Sequence, residues 1–118
     1  MRIYSLILIL FFISLHTKAQ QTQKINYGEN KDAGHYLSTR GIKLYYEVYG
    51  QGSPLLFIHG NGGSLANFSN NIPYFSQHYK VIAVDSRAHG KSIDNNDSLS
   101  FEMMADDFNA LLDNGSFF

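Results

Sequence analysis

After Met1-Arg2 the chain is apolar almost without a break from Ile3 to Leu15, then turns polar and stays so to about Gly34, rich in glutamine and asparagine. The pattern changes again at Ile42–Tyr49, which alternates in the manner of a half-exposed strand, with Tyr36–Thr39 as its hairpin partner across Arg40-Gly41. Gly50-Gln51-Gly52-Ser53-Pro54 then turns the chain. Leu55–Ile58 and Val81–Val84 are continuous apolar runs, short and bounded by glycine or polar residues, which predicts strands covered on both faces in a parallel sheet. Between them Leu65, Phe68, Ile72 and Phe75 recur at helical spacing over 64–78, broken by Pro73, a length that suffices for a parallel crossover. A second amphipathic stretch sets Phe101, Met104, Phe108, Leu111 and Leu112 on one face and Glu102, Asp106, Asp107 and Asp113 elsewhere, with Asn114-Gly115 as its C-cap. The order is hairpin, buried strand, helix, buried strand, helix. The expected fold class is α/β: the N-terminal half of a doubly wound sheet, incomplete, with no internal repeat.

The head of the chain has a separate meaning. A basic residue, a short apolar run and the small residues of Thr17-Lys18-Ala19 together predict a secretory signal over 1–19, cut after Ala19. A retained anchor is the competing reading, but the run is shorter than the roughly 20 residues a spanning helix needs. Residues 20–34 read as a flexible lead-in and 35–118 as the folded part. The mature chain is then expected in the periplasm or secreted, with no membrane association once the signal is gone. Losing Arg2 and Lys18 lowers the basic count from nine to seven against ten acidic residues, so it is mildly acidic.

Composition narrows the chemistry. A formal net charge of -1 offers no basic face for phosphates, which argues against nucleic acid. Zero cysteines remove disulfides, thiolate metal sites and cysteine nucleophiles. His16, His35, His59, His78 and His89 never fall at the i, i+3 or i, i+4 spacing that gathers ligands on one helix face, so no metal and no cofactor is expected.

Two loops could carry function. His59-Gly60-Asn61-Gly62-Gly63-Ser64 follows a predicted buried strand, at the carboxyl edge where open α/β sheets bind ligands. Glycines around one asparagine can aim backbone amides at a single point and receive an oxyanion, or can merely reverse the chain. Asp85-Ser86-Arg87-Ala88-His89-Gly90-Lys91-Ser92 follows the next strand, and its Gly90-Lys91-Ser92 matches the end of a phosphate-binding loop. Asp85 replaces that loop's first glycine, and the acidic Asp94-Asn95-Asn96-Asp97 follows where a helix N-terminus should begin, so nucleotide binding is rejected.

Taken in order, the two loops resemble the α/β-hydrolase superfamily, in its esterase and proline-iminopeptidase-like branch, over about Tyr36 to Leu112. The first is similar to the family's H-G-x-x-G-S oxyanion turn, the second to its D-x-R-G-x-G-x-S loop. The resemblance implies an oxyanion donor at the Asn61 amide, with Gly62 as a second donor or a requirement of shape. It implies supporting roles in the turn for His59, Gly60, Gly63 and Ser64, with His59 a structural histidine. Asp85, Arg87, Gly90 and Ser92 fall in the bracing loop. Ala88 stands where the family has glycine, and alanine's preference for negative φ implies a small adjustment of the loop.

The family's nucleophile sits on a later G-x-S-x-G turn, followed by acid and base, and no such turn occurs in these 118 residues. Gly62-Gly63-Ser64-Leu65-Ala66 imitates it poorly, since Ser64 cannot attack a carbonyl its own loop holds. His78 and His89 have no serine placed with them by pattern. The chain alone is therefore expected to be inactive, and the family's sheet order, which sets this strand beside the nucleophile strand, implies that Leu55–Ile58 is an exposed apolar edge prone to aggregation. The implied activity is hydrolysis of a small-molecule ester or amide by an exported enzyme, with no other partner inferred. A non-catalytic secreted module or a decaying gene product is the alternative, as is an aspartate nucleophile of the dehalogenase or epoxide-hydrolase kind. Asn-x-Ser sites at Asn67, Asn96 and Asn114 are expected to be chance.

Overall fold

The computed structural model describes residues 23–118, and the predicted signal at 1–19 and the first residues of the lead-in lie outside that range. Four strands, β1 (Gly34–Thr39), β2 (Ile42–Tyr49), β3 (Pro54–Ile58) and β4 (Lys80–Val84), form one mixed sheet in the order β1-β2-β4-β3. β1 and β2 pair antiparallel through a turn at Arg40 and Gly41, both with left-handed φ of 51° and 79°. Such a two-residue turn matches the twist of the strands it joins. β4 lies antiparallel to β2 and parallel to β3, in register from Pro54 opposite Lys80 to Ile58 opposite Val84.

β4 is the strand the apolar run predicts, with Val81, Ile82, Ala83 and Val84 fully buried. Ile82 and Val84 pack on one face with Ile42, Leu44, Leu111 and Phe117, while Val81 and Ala83 pack on the other with Tyr45, Leu65 and Ile72. The sheet is thus covered on both sides. β3 is less enclosed: it ends the sheet, its residues are half-buried, and Ile58 is 47% exposed.

The crossover from β3 to β4 is not one continuous helix. A 3-10 turn at Leu65–Phe68 is followed by a single-turn helix, α1 (Ile72–Phe75), in which Pro73 lies in the first turn. Proline is accommodated there because the first amides of a helix have no partner to lose, so Pro73 opens the second piece. Leu65 and Ile72 are fully buried and Phe57 packs against Phe68 and Phe75, which keeps the apolar spacing meaningful without a long helix.

α2 (Phe101–Asn114) starts at Ser100, whose Oγ accepts the Met103 amide at 3.2 Å. Leu111 is fully buried, whereas Phe101, expected on the same face, opens the helix and is 83% exposed. At the other end Gly115 is right-handed (φ -80°) and the left-handed residue is Ser116 (φ 52°), which folds Phe117 back into the core against Tyr46. Among the described residues no helix is long and apolar enough to cross a membrane.

The polar stretch expected as a flexible lead-in is tied down over 26–33. Glu47, on β2 and fully buried, accepts the Gly28 and Asn30 amides at 2.9 and 3.0 Å and the Tyr45 and Tyr49 hydroxyls at 2.7 and 2.8 Å. A buried carboxylate needs such donors, and the backbone of the lead-in supplies half of them. Gly28 also rests against Leu65 and Ala66, and Glu29 pairs with Lys91 at 2.6 Å.

Candidate active site

Both loops picked out from the sequence leave the carboxyl ends of the parallel strands, β3 and β4, and they meet there. The meeting point is built around Asp85. One carboxylate oxygen accepts the Leu65 amide at 2.7 Å, where the first loop enters its 3-10 turn. The other accepts the Lys91 amide at 2.8 Å, in the second loop. Asp85 wraps Gly90 so closely that a Cβ at that position would collide with the carboxylate, and Gly90 has φ 52°, so only glycine fits. Ser92 fastens the loop to the sheet: its Oγ donates to the Asp85 carbonyl at 2.6 Å and accepts the Tyr45 amide at 2.8 Å.

Arg87 is buried with its charge satisfied. Its guanidinium gives parallel bonds to Asp107 of α2 (Nε at 2.6 Å, Nη2 at 2.8 Å) and a third to Asp94 at 3.3 Å. The bidentate bond to Asp107 holds the guanidinium above its ordinary pKa against the opposing effect of burial. Asp107, read from sequence as off the apolar face, is in fact fully buried on it. Its position three residues after Met104 and four before Leu111 is the signal, but spacing alone does not name its partner.

Ala88 takes a left-handed φ of 59°. The loop has kept the backbone that suits glycine and left alanine strained, where a small adjustment of the loop was expected.

The first loop is held by two imidazoles. His59 Nδ1 lies 2.7 Å from the Gly60 carbonyl, which can only accept, and Nε2 receives the Ser86 amide at 3.0 Å. These contacts assign the Nδ1–H tautomer and leave no ring nitrogen to take a proton from a nucleophile. His89 is engaged in the same way, Nδ1 to the Arg87 carbonyl at 2.9 Å and Nε2 from the Gly62 amide at 3.2 Å. Gly62, with φ 74°, therefore spends its amide on His89. The Gly63 amide goes to the Gly60 carbonyl at 3.1 Å and the Ser64 amide to Asn67 Oδ1 at 3.3 Å. A side chain at Gly63 would press on Asn67, the Gly60 carbonyl and His59, while Gly60 faces open space. Of the run 61–64, only the Asn61 amide has no acceptor among the described residues. His78 lies just before the amino end of β4, at the opposite edge of the sheet.

Asn61 borders a cavity of about 410 Å³ between the two loops and α2. His59, Gly60, Ser86 and His89 form its polar side; Ile58, Leu99, Phe101, Met104 and Phe108 form an apolar side. A volume of this order and a largely apolar lining with a few polar groups are general features of small-molecule sites. No group of three His, Asp or Glu residues among the described residues is placed to hold a metal.

A family model described as the alpha/beta hydrolase fold matches residues 53–116. The 2-hydroxy-6-oxo-6-(2'-aminophenyl)hexa-2,4-dienoic acid hydrolase of Metapseudomonas resinovorans is 33% identical over 78 residues, 64% of this chain and 26% of that protein. The (E)-2-((N-methylformamido)methylene)succinate hydrolase of Acinetobacter baylyi is 43% identical over 56 residues, 48% of this chain and 21% of that protein. Among solved structures, an epoxide hydrolase superposes with a TM-score of 0.67 at 29% identity, covering 70% of this chain and 29% of the other. The chain thus spans about a quarter of the length of the curated relatives it matches.

Proposed function

The chain belongs to the α/β-hydrolase fold family, and from that premise we propose that it forms the carbonyl-receiving side of a hydrolase site acting on a small ester or amide. One observation carries the reading: Asn61 lines the cavity and its amide has no acceptor among the described residues, while the next three amides are all engaged. When a nucleophile adds to a carbonyl, charge gathers on the oxygen. A donor already fixed in place stabilises that charge without having to reorganise, and removing one such donor costs about 10²–10³ in rate. The apolar side of the cavity suits a substrate with a compact hydrocarbon portion.

The nucleophile, its acid and its base are proposed to be supplied from outside these residues. Among the described residues both ring nitrogens of His59 and of His89, the two imidazoles of these loops, are occupied, so neither can serve Ser64 as a base. The chain by itself is accordingly proposed to be inactive, and the predicted signal at 1–19 supports a location outside the cytoplasm. A serine nucleophile is the first choice. The likeness to an epoxide hydrolase favours a second reading, in which an aspartate attacks in its place.

The coding sequence beyond the Phe118 codon tests this. A Gly-x-Ser-x-Gly downstream, in this or another frame, supports a serine hydrolase, and an aspartate at its centre supports the second reading. A stop followed by unrelated sequence would sink both and leave a non-catalytic module or a decaying gene.

A further inference from the structure

Four amides, those of residues 61–64, follow one another in the glycine turn, and only that of Asn61, which lines the cavity, lacks an acceptor among the described residues. Gly60 and Gly62 flank Asn61, and each is held by a different imidazole: His59 donates to the Gly60 carbonyl, and His89 accepts the Gly62 amide. The two rings lie 5.2 Å apart, centroid to centroid, at 57°. Both are fastened from behind by backbone of the second loop, His59 by the Ser86 amide and His89 by the Arg87 carbonyl. Arg87 is in turn locked to Asp107 of α2.

From this geometry we propose that His89 is a positioning residue that sets the donor presented by the glycine turn. By taking the Gly62 amide it fixes the left-handed turn at Gly62 and leaves the Asn61 amide as the donor free to meet a bound carbonyl. The role requires an unprotonated Nε2. The Arg87 carbonyl secures it by holding the ring's single proton at Nδ1. A second proton on the ring would turn Nε2 into a donor, and the contact with Gly62 would become two N–H groups facing each other. The neighbouring groups do not replace it: His59 presents a ring with both nitrogens used, the Arg87 guanidinium points to Asp107 and Asp94, and Met104 and Phe108 of α2 are apolar. The link to catalysis rests on the proposed hydrolase function, but the contact itself does not.

The test is amide NMR on the full chain, together with any residues its gene adds after Phe118, titrated from about pH 8 to about pH 5. The Gly62 amide resonance should move with the same midpoint as the His89 ring, and its exchange protection should fall by about five- to tenfold across that midpoint, the equivalent of one hydrogen bond. His89→Gln, whose side-chain carbonyl can accept the same amide but does not titrate, should keep protection and abolish the pH dependence. His89→Ala should lose protection at every pH. A Gly62 resonance indifferent to His89 titration, or unchanged protection in His89→Ala, overturns the proposal. The wild-type titration needs no mutant to fold. None of these readings needs turnover, so a chain that never hydrolyses an ester can still pass, and an active enzyme can still fail.

Discussion

Asp107 on the last helix receives the Arg87 guanidinium through two parallel bonds of 2.6 and 2.8 Å, with both side chains shut off from solvent. The pair joins the loop after β4 to α2. A buried pair of this kind need not exceed an apolar pair in stability, but breaking it strands a charge. Asp107→Leu alone should therefore cost about 3–5 kcal/mol, and its combination with Arg87→Met should cost clearly less than the two single changes added together. Urea unfolding of the four proteins decides the matter; additive losses would mean the pair is not coupled.

Ala88 gives the opposite sign. Its left-handed backbone is disfavoured for any residue with a Cβ, and no described hydrogen bond uses its side chain. Ala88→Gly should stabilise the chain by about 1 kcal/mol, offset in part by the extra freedom glycine gives the unfolded state. A thermal or urea midpoint that falls would show that the loop does not hold this strain.

The Glu47 cluster predicts a response to alkali. Burial first, and then the hydrogen bond to Glu47, raise the Tyr45 and Tyr49 hydroxyls well above their ordinary value of 10.0. Their folded-state pKa lies above the unfolded one, so the stabilisation is fully present below about pH 10 and is lost as pH rises beyond it. Ultraviolet titration should show at least two of the eight tyrosines, Tyr45 and Tyr49, resisting ionisation until the chain unfolds. In Glu47→Gln one oxygen becomes an amide NH2 group that donates and cannot accept, so the segment 26–33 should become sensitive to limited proteolysis at Lys31. Unchanged cleavage at Lys31 would mean that the segment is held by other contacts.

For activity, the expected outcome is negative. The purified chain should hydrolyse p-nitrophenyl acetate no faster than a boiled control. Turnover abolished by Ser64→Ala would require a base that neither His59 nor His89 can provide in the geometry described.

Much of the fold is legible in the residues because burial is periodic. The hairpin at Arg40-Gly41, the continuous run of β4 and the helix ending near Asn114 all follow from spacing of apolar positions. What escapes is the polar interior. Asp107 and Glu47 look like solvent-facing charges in a helix and a strand, and only the arrival of Arg87 in one case and of the Gly28 and Asn30 amides in the other makes their burial tolerable. Those partners are twenty and nineteen residues away for Arg87 and Gly28, beyond the reach of any local pattern. The same holds for the site. The glycine turn stands out by composition, whereas the engagement of Gly62 by His89 depends on two loops meeting in space.

The strand order carries a consequence in time. β3 is made before β4 yet has no place in the sheet without it, because β4 lies between β3 and the hairpin. As the chain emerges, β1 and β2 can zip together at once, a short-range event. Leu55–Ile58 has to wait, apolar and unpaired, until residues 80–84 have arrived to bridge the gap. The glycine turn hangs from that waiting strand, so its geometry cannot be set until β4 and the loop that carries Ser86 and His89 have been made.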